Sequence, residues 1–486
     1  MAEPSLRKFQ PSASTPWNRA KAAHLLSRAG FGGSPDEIDR LAAIPFPAAV
    51  DSLLNFESVP DADFPAIDFS EIRELYAELF RLRQSRAGEQ ALRQQNQRII
   101  RANLQKFQDI RAAWVTRMIQ TRRPLEERLV LFWHGLLVSG LPEVRNAEHM
   151  AMQLDLFRRS AAGNFKQLIL DISRDPAMLG YLDNDTNRRG RPNENYAREL
   201  MELFTLGVGN YTEADVKESA RAFTGWTFAG NQFVFQRNQH DDGQKTFLGR
   251  TGNFDGTDVI DIIFEQPAAA RHLSRKLFEH FVYLGPEEAV VNELAEIFKR
   301  TNWDVKSVLR AIFQSDLFYS EKALRSQIKS PVRLVIGAVR ATGARIPEPG
   351  LVRAMDLMGQ ALLYPPNVGG WPAGRGWINT ATILVRYNFS NLLLGGAMPG
   401  VGGRRQAPAR IDWLDASKAK TCGDVIDQLA DRLLNAPLDA RRRWGLLRAL
   451  GTNREDEPFV LDGERTQQQL RSAVHLVMSM PEYQLS

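Results

Sequence analysis

Cysteine is nearly absent: Cys422 stands alone among 486 residues. An intrachain disulfide is therefore excluded, and so are cysteine-rich zinc sites and cysteine-held iron–sulfur clusters. No apolar run is long enough to cross a bilayer, and the opening stretch Met1 to Gln10 has no apolar signal core. The expected location is the cytoplasm, with export open if a leader precedes this N-terminus. Excess charge is also scarce, with 62 Lys plus Arg against 57 Asp plus Glu, a net of +5. That excess favours an acidic partner only weakly and carries no nucleic-acid signature. The basic runs Arg404-Arg405 and Arg441 to Arg443 are short and read as solvated surface. No GxGxxG or Walker-type loop supports a nucleotide fold, the histidines form no HExxH or HxH motif, and no short-period repeat is present.

What is present is helical spacing. Hydrophobic residues at 43% and charged residues at 24% support a packed interior that needs no metal or disulfide to hold it. Residues 18–30 carry apolar positions at helical intervals and stop at a glycine. Ser34, Pro35 and Glu37 predict a reciprocal cap with proline at the first helical position. After a Pro- and Asp-rich loop at 55–68, the stretch 69–120 predicts one or two long helices, with a turn near Ala87-Gly88. A more apolar helix runs from Pro124 to near Gly135, and others are expected at 149–162, 164–174 and 194–206. Thr212 and Asp215 predict the cap of another helix, running to about Phe223. Alternation and glycines at 227–262 suggest a short hairpin or irregular lobe. Helical pattern returns at 268–283, 286–299, 304–314, 329–343, 350–360 and 380–395, around an aromatic Pro/Gly loop at 362–379. A Gly-rich linker, 394–407, precedes a last helical segment ending near Tyr483. The expected fold class is mainly α: a large multi-helical globular fold with long irregular loops and one short β-hairpin near 227–262. Residues 1–395 would form the body, with a helical excursion near 69–120, and 396–486 a C-terminal helical segment packed on it.

Several polar clusters bear on chemistry. Asp183, Asp185, Asn187 and Glu194 occupy positions 1, 3, 5 and 12 of a calcium-loop-like window, but its sixth position is Arg188 rather than glycine. The segment therefore reads as a metal site of another kind or as a hydrogen-bonded structural loop. Glu194, Arg198 and Glu202 share a helical stripe, with Glu199 beside it. Paired carboxylates there bind a cation or split their proton affinities, whereas Arg198 offers the alternative of a neutralised surface. His134 reads as a core histidine or as one imidazole presented to a buried site. His240 and Asp241 sit in a polar turn suited to ligation or to solvent. His272, Lys276 and His280 form a stripe able to meet a phosphate or carboxylate, or else a wet helix face. In the aromatic loop, Trp371 and Trp377 supply flat faces, Arg375 a cationic fork and Asn367 an amide, which suits a carbohydrate or other polar ligand as well as it suits a structural staple.

These segments resemble the DUF1800 family of bacterial proteins. The resemblance is carried by His24-Leu-Leu-Ser-Arg-Ala-Gly-Phe-Gly, Phe132-Trp-His-Gly and Asn193-Glu-Asn-Tyr-Ala-Arg-Glu-Leu-Met-Glu-Leu-Phe-Thr-Leu-Gly. It continues through Tyr211-Thr-Glu-Ala-Asp, Thr224-Gly-Trp, the His240-Asp241 pair, Ser330-Pro331 and Pro365-Pro-Asn-Val-Gly-Gly-Trp-Pro. It departs at Gly135, where the family's usual wording has asparagine. The resemblance implies no catalytic residues. It suggests a DUF1501-family protein, similar to phosphatases and sulfatases, as a partner.

Two functions are expected. The first is a metal-assisted hydrolase acting on a polar or anionic substrate. His134, Glu194, Arg198 and Glu202 would be its catalytic groups, and Asp183, Asp185, Glu199, His240 and Asp241 the ligands of a divalent ion that activates water. Arg375, Trp371, Trp377 and Asn367 would hold the substrate. The second is a non-catalytic binding or assembly protein whose 69–120 segment engages a protein partner, with the tryptophan loop as a recognition surface.

Overall fold

The computed structural model describes every residue except 1–4, 63, 397, 399 and 402–407. Arg404-Arg405 and much of the Gly-rich linker therefore lie outside the described residues. The fold is mainly α-helical, as the spacing predicts, and carries two small antiparallel hairpins.

The N-terminal part shows how local signals set the elements. Helix α1 (Arg19–Ala29) is capped by the Asn18 side chain and ends at Gly30. Helix α2 (Pro35–Ala43) opens on the Ser34/Glu37 reciprocal cap, and α3 (Ala48–Leu54) follows. The long stretch forms a hairpin, α4 (Ser70–Gln84) and α5 (Glu89–Gln120). Its tip is solvated, but the second half of α5 buries Phe107, Trp114, Val115 and Met118. The excursion is thus anchored in the core over half its length.

Helix α6 (Pro124–Leu136) is buried at every position except Gly135, although it carries Glu126, Glu127, Arg128 and His134. Around it pack α7 (Leu141–Val144), α8 (Ala147–Arg159), α9 (Phe165–Ile172) and α10 (Pro176–Tyr181). Glu127 ties this layer together. Its carboxylate accepts from Trp114 Nε1 at 2.9 Å and Arg117 Nε at 3.2 Å on α5, and from Arg158 Nε at 2.8 Å on α8. Arg117 also reaches Glu126 at 3.1 Å.

Helix α11 (Asn195–Glu199) passes into a π-helical turn, Leu200–Thr205. Helix α12 (Glu213–Ala222) carries the Thr212/Asp215 cap. The 227–262 segment departs from the expected single hairpin. Strands β1 (Trp226–Ala229) and β2 (Gln232–Phe235) pair first, then β3 (Lys245–Phe247) with β4 (Arg250–Gly252). From Gly256 the chain is already α13 (Gly256–Glu265), because Asp255 and Asp258 form another reciprocal cap ahead of a Val259, Ile260, Ile262, Ile263 face. Gly225 enters β1 at φ +80°, where a Cβ would lie 2.6 Å from the Gln236 carbonyl, so only glycine fits.

The remaining body is α14 (Pro267–Phe281), α15 (Glu288–Arg300), α16 (Val305–Phe313), α17 (Pro331–Thr342), α18 (Glu348–Leu357) and α19 (Thr380–Leu393). The C-terminal helices are α20 (Cys422–Leu434), α21 (Ala440–Ala449) and α22 (Glu464–Ser479). One hydrophobic core runs from Phe9 to Tyr483 and includes all three. Beyond α22, Leu485 bridges to Ile328, and Tyr483 offers its carbonyl to Lys329 Nζ at 2.7 Å. No helix among the described residues is long and apolar enough to cross a membrane.

Removing the Glu127 carboxylate leaves two buried guanidinium groups short of a partner. Glu127→Ala is expected to cost about 3 kcal/mol or more, and Glu127→Gln less, read from thermal or denaturant unfolding. A shift under about 0.5 kcal/mol for the alanine variant would remove Glu127 as the tie between α5, α6 and α8.

Candidate anion-binding site

Arg128 follows Glu127 on α6, and its side chain turns the other way, into a cavity of about 280 Å³. The cavity lies between α6, α14, the start of α17 and the tryptophan loop. That volume is at the small end for ligand sites. Leu131, Phe132 and Leu136 give it an apolar wall, and Trp371 and Trp377 form another. Its polar groups are Arg128, Lys276, Glu279, His280, Arg333 and Gln360, with Ser330 and Gln327 near the α17 end.

The tryptophan wall is held by backbone contact. Gly370 has φ +82°, and a Cβ there would strike the Gly135 carbonyl, so the loop touches α6 with no side chain between. Trp371 then covers Gly135, a Cβ on which would stand 3.6 Å from the indole. The departure from the usual family wording thus falls on the cavity wall.

The cations are held by neutral acceptors. Arg128 donates from Nη2 to His280 Nε2 at 2.8 Å, and Phe31 and Phe281 lie 5.8 and 6.0 Å from its guanidinium carbon. A guanidinium only donates, so His280 accepts at Nε2 and is neutral, with its proton on Nδ1. Behind this pair, Arg28 donates to the carbonyls of Val282 at 2.8 Å and Ala323 at 2.5 Å. Arg333 donates to Gln327 Oε1 and the Ser27 carbonyl, both at 2.9 Å, and to Ser486 Oγ at 2.6 Å.

No Asp or Glu side chain offsets these three arginines among the described residues; what acts on each is burial and, for Arg28 and Arg128, the neighbouring guanidinium groups. Burial and mutual repulsion push Arg28 and Arg128 well below the usual arginine range, and burial brings Arg333 down to about 10. Burial lowers His280 further, followed by the charges of Arg128, Arg333 and Arg28. Ser330 caps α17 at this wall, so the positive end of that helix adds to the field. Lys276 stands exposed at the mouth, and Glu279 is the one carboxylate there, accepting from Gly285 N at 3.2 Å.

The residues expected from sequence fall into several places. Trp371 and Trp377 line the cavity. Arg375 and Asn367 are exposed beside it, and Asn367 Oδ1 is engaged by Gly369 N at 2.9 Å. Arg198 binds both oxygens of Glu213 at 2.7 Å and Glu194 at 3.4 Å, as a neutralised surface would. Glu202 accepts from the Tyr211 hydroxyl at 2.7 Å. Glu199, half-buried, has its proton affinity raised by burial and then by Glu202. Tyr181 is pushed up to about 12 by burial, then by Glu143 and Glu199.

In the 183–194 loop the buried side chains are amides. Asn187 donates to Asn184 Oδ1 at 3.1 Å and to the Ala220 carbonyl at 2.9 Å, and accepts from Asn193 N at 2.9 Å. Asp183 is exposed at φ +56°. Burial raises the Asp185 carboxyl, with Asp183 adding to it. His240 is buried, with Nδ1 donating to the Thr224 carbonyl at 2.9 Å. Asp241 accepts from Arg221 Nε at 2.8 Å and is held down at about 2, chiefly by that partner. Among the described residues no group of three or more His, Cys, Asp or Glu is placed to hold a metal ion.

His134 lies on the far side of Trp371, their rings 5.3 Å apart, enclosed by Trp114 and Phe157. Neither imidazole nitrogen has a partner, nor does Trp371 Nε1. Burial pushes His134 down to about 3.

Arg28, Arg128, Arg333 and Gln360 were not legible as a group, because they come from three separate helices and the turn after α18. The one signal was the His272, Lys276, His280 stripe, which divides here. His272 Nε2 donates to the Leu203 carbonyl at 2.9 Å, while Lys276 and His280 face the cavity.

Fold and cavity together define a large helical protein with a cation-lined interior site. The chain belongs to the DUF1800 family, described as a protein of unknown function, whose model matches residues 24–485. No curated protein and no solved structure matches the chain.

The His134 environment sets a pH dependence. The folded protein binds this proton only near pH 3, against an ordinary value of 6.5. Between those values the unfolded chain holds more protons, so stability falls as pH drops through the window. His134→Leu is expected to flatten that decline in unfolding midpoints measured across it. Equal slopes for the two proteins would refute the dry, unpartnered environment.

Proposed function

We propose that the protein binds a polar, anionic small molecule in the cavity under the tryptophan loop. Arg128 and Arg333 take its charge, and Trp371 and Trp377 take its flat or apolar part. The observation that supports this most is the set of buried guanidinium groups with no Asp or Glu partner among the described residues. Burying an ion without a counter-ion costs several kcal/mol, and replacing buried ions by apolar groups is often neutral or stabilising. A helical core gains nothing from such charges, whereas an anion-binding site requires them.

Hydrolysis is the reaction this reading extends to. Leu203 lines the cavity, and Glu199 and Glu202 lie on the same turns of chain. A carboxyl with raised proton affinity beside a second carboxylate suits proton transfer, and the pair would hold a divalent ion to orient water. A separate reading, assembly, is favoured by the α4–α5 tip, where Phe80, Ile100 and Leu104 are exposed among arginines. A DUF1501-family protein is the partner the family resemblance suggests.

Titration calorimetry with small aromatic anions tests the binding reading. Arg128→Met and Trp371→Ala are expected to weaken binding at least about tenfold, on the scale of one lost charge-assisted hydrogen bond. Arg198→Ala should leave it unchanged. Failure of every anion to bind would overturn the reading. Metal content of untagged protein purified without chelator, with Glu199→Ala and Glu202→Ala beside it, tests the metal-assisted step. Near-stoichiometric metal lost in both variants supports that step. No metal bound, and none taken up on titration, sinks it while leaving the binding reading intact.

A further inference from the structure

We propose that the group seated in this cavity is a single doubly charged tetrahedral oxyanion, the dianion of a phosphate monoester, whose organic part is small and flat or apolar. The inference rests on the binding reading above and narrows it to one chemical class.

Charge balance comes first. Among the side chains that line the cavity, Arg128, Arg333 and Lys276 stand against one carboxylate, Glu279, an excess of two positive charges. His280 is neutral because it accepts from Arg128. Arg28 stands directly behind, joined to the cavity through Ser326, to which it donates at 3.0 Å and which itself lines the wall. The capped start of α17 at Ser330 adds the positive end of a twelve-residue helix. A monoanion would leave part of this charge uncompensated beside the buried guanidinium groups. A carboxylate carries one charge, and so does a sulfate monoester. A phosphate monoester carries close to two at neutral pH and offers three acceptor oxygens.

Placement comes second. Arg128 bonds to His280, and Arg28, Arg128 and Arg333 all bear electrostatically on that one imidazole. Gln327 joins them, donating to the His280 carbonyl at 3.2 Å and accepting from Arg333 at 2.9 Å, so the guanidinium groups gather at the His280 end of the cavity. A dicarboxylate has the right total charge but spreads it, and its second carboxylate would fall against Leu131, Phe132 and Leu136. Those residues, with Trp371 and Trp377, suit the uncharged remainder of an ester. A volume of about 280 Å³ restricts that remainder to roughly one ring.

The test is calorimetry on the full chain at fixed ionic strength with phenyl phosphate, phenyl sulfate, benzoate and succinate, repeated with Arg128→Met and Lys276→Met. Phenyl phosphate is expected to bind at least about tenfold tighter than the other three, the scale of one charge-assisted hydrogen bond. Lys276 is exposed, so its variant keeps the fold and should weaken phenyl phosphate about threefold or more, the scale of a partly screened ion pair. Empty Arg128→Met should melt at the same or a higher temperature than the parent, since an uncompensated buried charge has gone, and should lose stabilisation by phenyl phosphate. Phenyl sulfate or benzoate binding as tightly as phenyl phosphate would overturn the double charge. Succinate binding as tightly would overturn the convergence. Either result leaves the broader anion-binding reading standing, whereas silence from all four probes would remove both.

Discussion

The cost of taking charge out of water governs this structure, and α6 is where it is met. A helix buried all round is ordinarily apolar all round. This one carries two carboxylates, a guanidinium and an imidazole, and each is treated differently. Glu127 is surrounded by donors from α5 and α8. Arg128, the next residue, has a neutral histidine and two aromatic rings. His134 has only aromatic rings and stays neutral. The first arrangement joins helices, the second keeps a charge unsatisfied, and the third excludes one.

Elements announced by short-range chemistry were legible in the sequence. The Ser34/Glu37 and Thr212/Asp215 caps, the hairpin near Ala87-Gly88 and the Trp371/Trp377 loop depend on neighbours a few residues away, and they stand where spacing predicts. The start of α13 carried the same kind of signal in Asp255 and Asp258, but the glycines and alternation before it obscured it. The cavity was another matter. Arg28, Arg128, His280 and Arg333 sit on four different helices, and only packing brings them to or behind one cavity wall. A buried arginine and a solvated one look alike along a chain until its partners are known.

The opposite difficulty applies to the acidic segments. Asp183, Asp185, Glu194 and Glu202 stand out in sequence because oxygen-bearing residues crowd one stretch. In the fold that crowding serves local geometry: amides close the 183–194 loop, and arginine or tyrosine takes up the carboxylates downstream. Glu199 is the exception, drawn toward neutrality between burial and Glu202.

The contact between Gly370 and the Gly135 carbonyl also has a mechanical meaning. Because backbone meets backbone with no side chain between, any side chain at position 370 would push the tryptophan loop off α6 and reshape the cavity wall. The rim opposite is built from α14 and the turn that follows it. The exposed Lys276 and Leu284 stand at the rim there, and Leu284 rests against Gly374. The width of the mouth is thus set by glycines on one side and by the end of α14 on the other.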